Sequence, residues 1–188
     1  MSLTEADTCR KFVVPQLQAA GWDSEPHSIA EQRTITDGRI VPVGKGFVRK
    51  PPKRVDYLLR YTRDFPLAVV EAKAIYKSAG DGLQQARNYA EMLGLKFAYA
   101  TNGDELIEFD YLTGRESIIT AYPSPAELWA RYRAASKLDD DAASERVLTP
   151  MNYAIGKGER YYQQIAINRA TQGILQEPGA RASGVTGS

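Results

Sequence analysis

Cysteine and histidine are nearly absent from this sequence, which carries one of each, Cys9 and His27. A single cysteine excludes an internal disulfide framework and a cysteine-based zinc site. A lone histidine in a loop reads as a surface residue without a role. No apolar run is long enough to span a bilayer and no secretory signal is recognised, so no membrane partner is expected and the cytoplasm is the expected compartment. Charge of one sign is also lacking: 24 Lys and Arg against 23 Asp and Glu leave a net +1. Nothing global therefore advertises nucleic acid, and any such footprint must be local. Gly44-Lys45-Gly46 lacks the longer glycine spacing and the Lys-Ser/Thr pair of a phosphate-binding loop. There is no long internal repeat or extended low-complexity tract.

The 188 residues, 43% of them hydrophobic, suffice for one medium domain with a core. The chemistry gathers between Arg54 and Lys73. Apolar and aromatic residues on either side of Arg63-Asp64-Phe65-Pro66 predict a hairpin, with Asp56 entering one strand and Glu71 and Lys73 leaving the next. Side chains two apart share a strand face, so two carboxylates and an ammonium converge at the edge of an apolar sheet. Such a group is costly unless its members pair or bind something. It suits a hard divalent cation such as Mg2+ held against a phosphodiester, with the Ala72 carbonyl as a further oxygen ligand and Lys73 orienting water. The plainer alternative is a surface ion pair of Glu71 with Lys73, and Asp56 paired with Arg54 or Lys53.

A helix over 82–93 follows and stops at Gly94. Its Gln85 and Tyr89 share a face at i, i+4 spacing, able to steady Lys73 or bond a nucleotide; the alternative is a half-buried Tyr89 covered by Gln85. Before the hairpin, Thr4 and Asp7 predict a box-like start to a first helix that Pro15 kinks and Gly21 ends. Glu5 in its first turn is favoured by the helix dipole, and Cys9 is a small half-buried residue of the same helix. A strand is expected over 28–36, then a basic loop over 37–53. Arg49, Lys50, Lys53 and Arg54 could there hold a phosphate backbone without reading sequence; a solvated loop is the alternative. Asn102-Gly103 predicts a second hairpin, on whose edge strands Asp104, Glu105 and Glu108 are expected to be solvated. A further strand is expected over 116–120, and Ser124-Pro125-Ala126-Glu127 starts a helix. Residues 138–158, with Asp139-Asp140-Asp141, form the expected linker between a domain at 1–137 and a segment at 159–188. The aspartates lack the spacing of a calcium loop and read as solvated. The last helix is expected over 159–176.

Asp56, Glu71-Ala72-Lys73 and Gln85-x-x-x-Tyr89, with the wording Val-Asp-Tyr-Leu-Leu, Val-Val-Glu-Ala-Lys and Leu-Gln-Gln-Ala-Arg-x-Tyr-Ala, resemble the PD-(D/E)xK nucleases of the RecB-like branch. Specifically, they resemble the amino-terminal nuclease domain of the restriction subunit of type I restriction enzymes, over about residues 3–176. The family's Pro-Asp is here Val55-Asp56. The resemblance implies a restriction-endonuclease-like α/β fold, a mixed central sheet flanked by helices, and Mg2+-dependent hydrolysis of double-stranded DNA. It implies that Asp56 and Glu71 hold Mg2+, Lys73 assists the attacking water, and Gln85 and Tyr89 support it. Glu5 is a secondary metal candidate, since related nucleases often place an acid on this helix. Arg160-Tyr-Tyr-Gln163 resembles the opening of the motor region, where a glutamine contacts adenine. The tail 179–188 falls where the family's ATP-binding loop would come but lacks its Lys-Ser/Thr ending. ATP is thus expected to serve only a full-length subunit, of which this chain is a fragment or truncated product. The implied partners are methyltransferase and specificity subunits. Two rivals remain: a catalytically silent DNA-binding or subunit-docking module, and an adenine-binding remnant using Tyr162 and Gln163.

Overall fold

The computed structural model describes residues 4–35, 40–43, 46–49, 52–138, 141–150 and 161–176. Six strands form one sheet in the order β1-β4-β5-β6-β7-β8, comprising β1 (Ser28–Ile35), β4 (Lys53–Thr62), β5 (Phe65–Ala72), β6 (Phe97–Thr101), β7 (Leu106–Asp110) and β8 (Arg115–Ile119). All neighbours are antiparallel except β5 and β6, which run parallel. A parallel pair needs a crossover, and α3 (Ala79–Leu93) is that connection.

The central strands are buried on both faces, which is why Leu67-Ala68-Val69-Val70 reads as an unbroken apolar run. On one face Val69 packs with Leu58, Ala98 and the Ala86, Tyr89 and Ala90 of α3. On the other, Val70 and Ala72 meet Leu17 of α2 (Val14–Ala19) and Leu128 and Trp129 of α4 (Pro125–Ala135). The sheet is mixed and flanked by helices, as expected.

Local signals place the helix ends. Thr4 Oγ1 accepts from Asp7 N–H at 3.2 Å and Thr4 N–H donates to Asp7 Oδ2 at 3.0 Å, a reciprocal capping box for α1 (Glu5–Thr8). A π-helical turn, Cys9–Val13, precedes Pro15 at the start of α2; widened turns of this kind accommodate a local break in the hydrogen-bond ladder. Ser78 caps α3 about one turn ahead of the expected start, its Oγ accepting from Gly80 N–H at 3.1 Å. Gly94, at φ 71°, ends that helix in the left-handed conformation.

The structure departs from expectation in three places. The basic loop contains a two-stranded antiparallel ribbon, β2 (Ile40–Val43) with β3 (Gly46–Arg49), because Ile40, Val41, Val43, Phe47 and Val48 are strong strand formers around a two-residue connection. Pro42 is tolerated because a two-stranded ribbon has only edges. Within 138–158, α5 (Asp141–Val147) forms, and Leu138 and Val147 are buried in the main core; two large apolar residues nine apart are enough to dock so short a helix. Asp139, Asp140 and residues 151–160 lie outside the described residues.

The third departure is Glu108, which is not a solvated edge charge. Its strand, β7, lies inside the sheet between β6 and β8, and the residue is 7% exposed. Glu108 Oε2 accepts from Tyr99 Oη at 2.6 Å and Arg131 Nη1 at 3.0 Å, while Arg131 Nη2 reaches Glu108 Oε1 at 2.8 Å and Asp110 Oδ2 at 2.7 Å. One guanidinium thus satisfies two buried carboxylates. Arg131→Met would leave both carboxylates without this cationic partner, and it is expected to destabilise the fold by about 3 to 5 kcal/mol in urea unfolding; a cost under about 1 kcal/mol would show that the network contributes little.

Candidate active site

Asp56 and Glu71 come together because β4 and β5 pair with Tyr57 opposite Val70, so the next position out sets Asp56 against Glu71. Both lie at the end of the hairpin away from its turn. They are 7% and 2% exposed. Asp56 Oδ2 accepts from the Ala72 N–H at 2.9 Å, and Asp56 Oδ1 accepts from Gln32 Nε2 at 3.2 Å. No arginine or lysine supplies either bond, so the ion pair of Asp56 with Arg54 or Lys53 is not what holds this carboxylate. Glu71 Oε2 is buried without a hydrogen-bond partner.

That unpartnered oxygen has an electrostatic consequence. Burial, then the adjacent Asp56 carboxylate, push the Glu71 pKa up to about 10, against the opposing pull of Lys73; the charge of Glu5 adds a smaller rise. Without a cation, Glu71 therefore holds its proton at neutral pH.

Lys73 lies two residues after Glu71, just past the end of β5, and its own N–H donates to the Thr101 carbonyl at 2.8 Å, extending the β5–β6 ladder. Its Nζ does not pair with Glu71; it donates to Gln85 Oε1 at 2.9 Å, and Gln85 Nε2 donates to Tyr89 Oη at 2.9 Å. The i, i+4 spacing on α3 thus becomes a bonded chain from the ammonium to the phenol. Tyr89 is buried, and its pKa is raised chiefly by burial. Gly82 leaves room for this arrangement, since a Cβ there would stand 3.2 Å from Lys73 Cγ and 3.3 Å from Lys73 Cε.

The remaining sequence-derived candidates lie around this centre or outside it. Glu5 is exposed on α1 and lines a cleft with Cys9, Gln32 and Tyr57. Among the described residues no group of three or more His, Cys, Asp or Glu could hold a metal ion, so the acidic part of the site is a pair. Lys53 is exposed, with Nζ 5.7 Å from the Tyr89 ring centroid, close enough for a weak cation–π contact. Arg54 is exposed on β4, Arg49 closes β3, and Lys50 lies outside the described residues. Gln163 is exposed on α6 (Tyr161–Gln176). Asn168 of that helix donates to the Asp64 carbonyl at 3.3 Å, at the hairpin turn opposite Asp56 and Glu71. A cleft of about 260 Å³ between that turn, the end of α3 and Arg169 contains none of the site residues. His27 has a structural place: its Nδ1 donates to the Tyr61 carbonyl at 2.6 Å, with its ring near Trp22 and Tyr61.

Sequence reasoning missed Gln32 and Gly82. Gln32 gave no signal, because its partner lies 24 residues away across a strand pair. Gly82 was visible only as a helix residue, and its closeness to Lys73 depends on how α3 crosses the sheet.

No family model matches the chain. Among curated proteins it is 35% identical over 181 residues to the type I restriction enzyme EcoAI endonuclease subunit of Escherichia coli, a match covering 92% of this chain and 22% of that protein. Among solved structures it is 51% identical, with a TM-score of 0.82, to a fragment described as the HsdR subunit of a type I restriction enzyme from Vibrio vulnificus YJ016; 94% of this chain and 33% of that one are covered. The chain thus spans a small part of its relatives, and the six-stranded mixed sheet is the restriction-endonuclease-like α/β fold. With two relatives of one kind matched over almost its whole length, the chain is similar to one part of the HsdR subunits of type I restriction enzymes.

Proposed function

We propose that this chain is a Mg2+-dependent endonuclease domain that hydrolyses phosphodiester bonds of double-stranded DNA within a type I restriction subunit. The observation that carries the reading is the pair Asp56 and Glu71, buried side by side with one Glu71 oxygen unpartnered, next to a lysine held by its own hydrogen-bond chain. A paired, solvated surface cluster would leave no such oxygen. A buried carboxylate pair is relieved either by a proton or by a cation, and oxygen donors suit Mg2+. Asp56, Glu71 and the Ala72 carbonyl are the residues that would hold it, with Glu5 as a further candidate. Bound there, Mg2+ would polarise a phosphoryl oxygen and acidify a water.

The rest belongs to the side chains. Lys73 offers an ammonium whose direction is set by Gln85 and Tyr89; it orients the attacking water and offsets negative charge growing on the phosphoryl group. Arg49, Lys50, Lys53 and Arg54 are the residues that would contact the DNA backbone, giving sequence-blind, salt-sensitive affinity. Sequence choice comes from the specificity subunit, with the methyltransferase as the other partner. ATP serves the motor of the full-length subunit, where Gln163 contacts adenine. The assembly works in the cytoplasm, and among the described residues no helix is long and apolar enough to cross a membrane.

The test is cleavage of plasmid DNA by the assembled enzyme, with Mg2+ or EDTA, carrying wild-type or Glu71→Ala domain. Cleavage is expected to need the metal and to fall at least about 100-fold in the variant, with ATP hydrolysis retained. Unchanged metal-dependent cleavage by the variant would contradict the assignment. That the described residues give the acidic pair no third ligating carboxylate favours one other reading, a silent DNA-binding or docking module, which predicts duplex binding through Arg49, Lys50 and Lys53 that EDTA does not alter.

A further inference from the structure

We infer that Gln32 is a positioning residue that fixes the Asp56 carboxylate for a divalent cation, an inference that rests on the metal-site reading above. Gln32 lies in β1 between the pairs Glu31–Tyr57 and Arg33–Val55, which places it across from Asp56. Its φ is 49°, a left-handed conformation that is costly for a residue with a long side chain and is found where surrounding structure or function demands it. Packing does not account for the cost, because Gln32 is exposed.

The distorted backbone coincides with one specific bond. Gln32 Nε2 donates to Asp56 Oδ1 at 3.2 Å while the Ala72 N–H donates to Asp56 Oδ2 at 2.9 Å. The two oxygens are thus held from opposite neighbours, by β1 and by β5, and the carboxylate plane cannot turn without losing one of them. Each oxygen keeps further acceptor capacity. Both donors are neutral, which matters: a lysine or arginine in the Gln32 position would neutralise the charge that attracts the cation, whereas an amide orients the carboxylate and leaves its charge intact. Gln32 also lines the cleft of about 480 Å³ that contains Glu5 and Tyr57. Outer hydrogen-bond partners of ligating carboxylates commonly set metal affinity in this way.

Two variants separate orientation from stability. Gln32→Gly removes the amide and relieves the backbone; Gln32→Asn tolerates the left-handed conformation but is one methylene too short to reach Asp56. Both are expected to melt at or above the wild-type temperature without metal, and to bind Mn2+ about tenfold more weakly by calorimetry. Wild-type binding that is lost in Asp56→Ala but unchanged in both Gln32 variants would overturn this inference alone. Lower melting temperatures in both variants would make Gln32 a structural residue and overturn it too. A folded wild-type chain that binds no Mn2+, or whose binding survives Asp56→Ala, would overturn the metal-site reading and the inference with it.

Discussion

Glu71→Gln will make the metal-free protein more stable at neutral pH while removing its affinity for divalent cations. The Glu71 pKa is pushed up from the usual carboxylate range to about 10 by burial and by Asp56, so the folded chain keeps a proton that the unfolded chain releases. Stability is then greatest below the unfolded value and declines as pH rises toward the folded one, by about 1.4 kcal/mol per pH unit. At pH 7 the accumulated loss is on the order of 3 kcal/mol. Glutamine fills the same space and does not ionise, so the decline belonging to this site should vanish. The variant should match the wild type near pH 4.5 and exceed it progressively above. Thermal melting between pH 4.5 and 8.5, with EDTA present, checks this; equal slopes for both proteins would mean that Glu71 is charged in the folded state. The same substitution removes the negative charge a cation needs, so the stabilised variant should be inactive, a trade of stability against function.

Lys73→Met will separate metal binding from catalysis. Methionine keeps an unbranched stem for the narrow space at Gly82 and removes the ammonium that bonds Gln85. Mn2+ affinity should stay within about threefold, since neither carboxylate depends on Lys73 for a hydrogen bond. Cleavage by the assembled enzyme should fall about 10²- to 10³-fold, the usual cost of losing one preorganised electrostatic contact to the transition state. Loss of metal binding would assign Lys73 to the integrity of the site, and undiminished cleavage would remove it from the chemistry.

The hairpin that carries the site was legible because its signals are local. Asp64 and Pro66 punctuate two apolar runs, and period-two spacing puts Glu71 and Lys73 on one face whatever the rest of the chain does. The Gln85–Tyr89 contact was legible for the same reason, with i, i+4 replacing i, i+2. What escaped depends on distance along the chain. Gln32 reaches Asp56, and Arg131 reaches Glu108 and Asp110, through pairings that no window of ten residues contains. Glu108 looked like an edge charge because its neighbours along the chain do not reveal that β7 is covered by β8 on one side and β6 on the other. The β2–β3 ribbon was hidden by composition, its glycines and lysines outweighing a strand pattern only four residues long on each side.

The most direct test of the central claim, that Asp56 and Glu71 form a divalent-cation site on DNA, is calorimetric titration of Mn2+ into the chain with a short uncleavable duplex present. Asp56→Ala and Glu71→Ala serve as folded controls. The site predicts saturable binding by the wild type that both substitutions abolish. A folded wild-type chain that takes up no Mn2+ would contradict it and leave a domain that holds DNA or docks subunits without cutting.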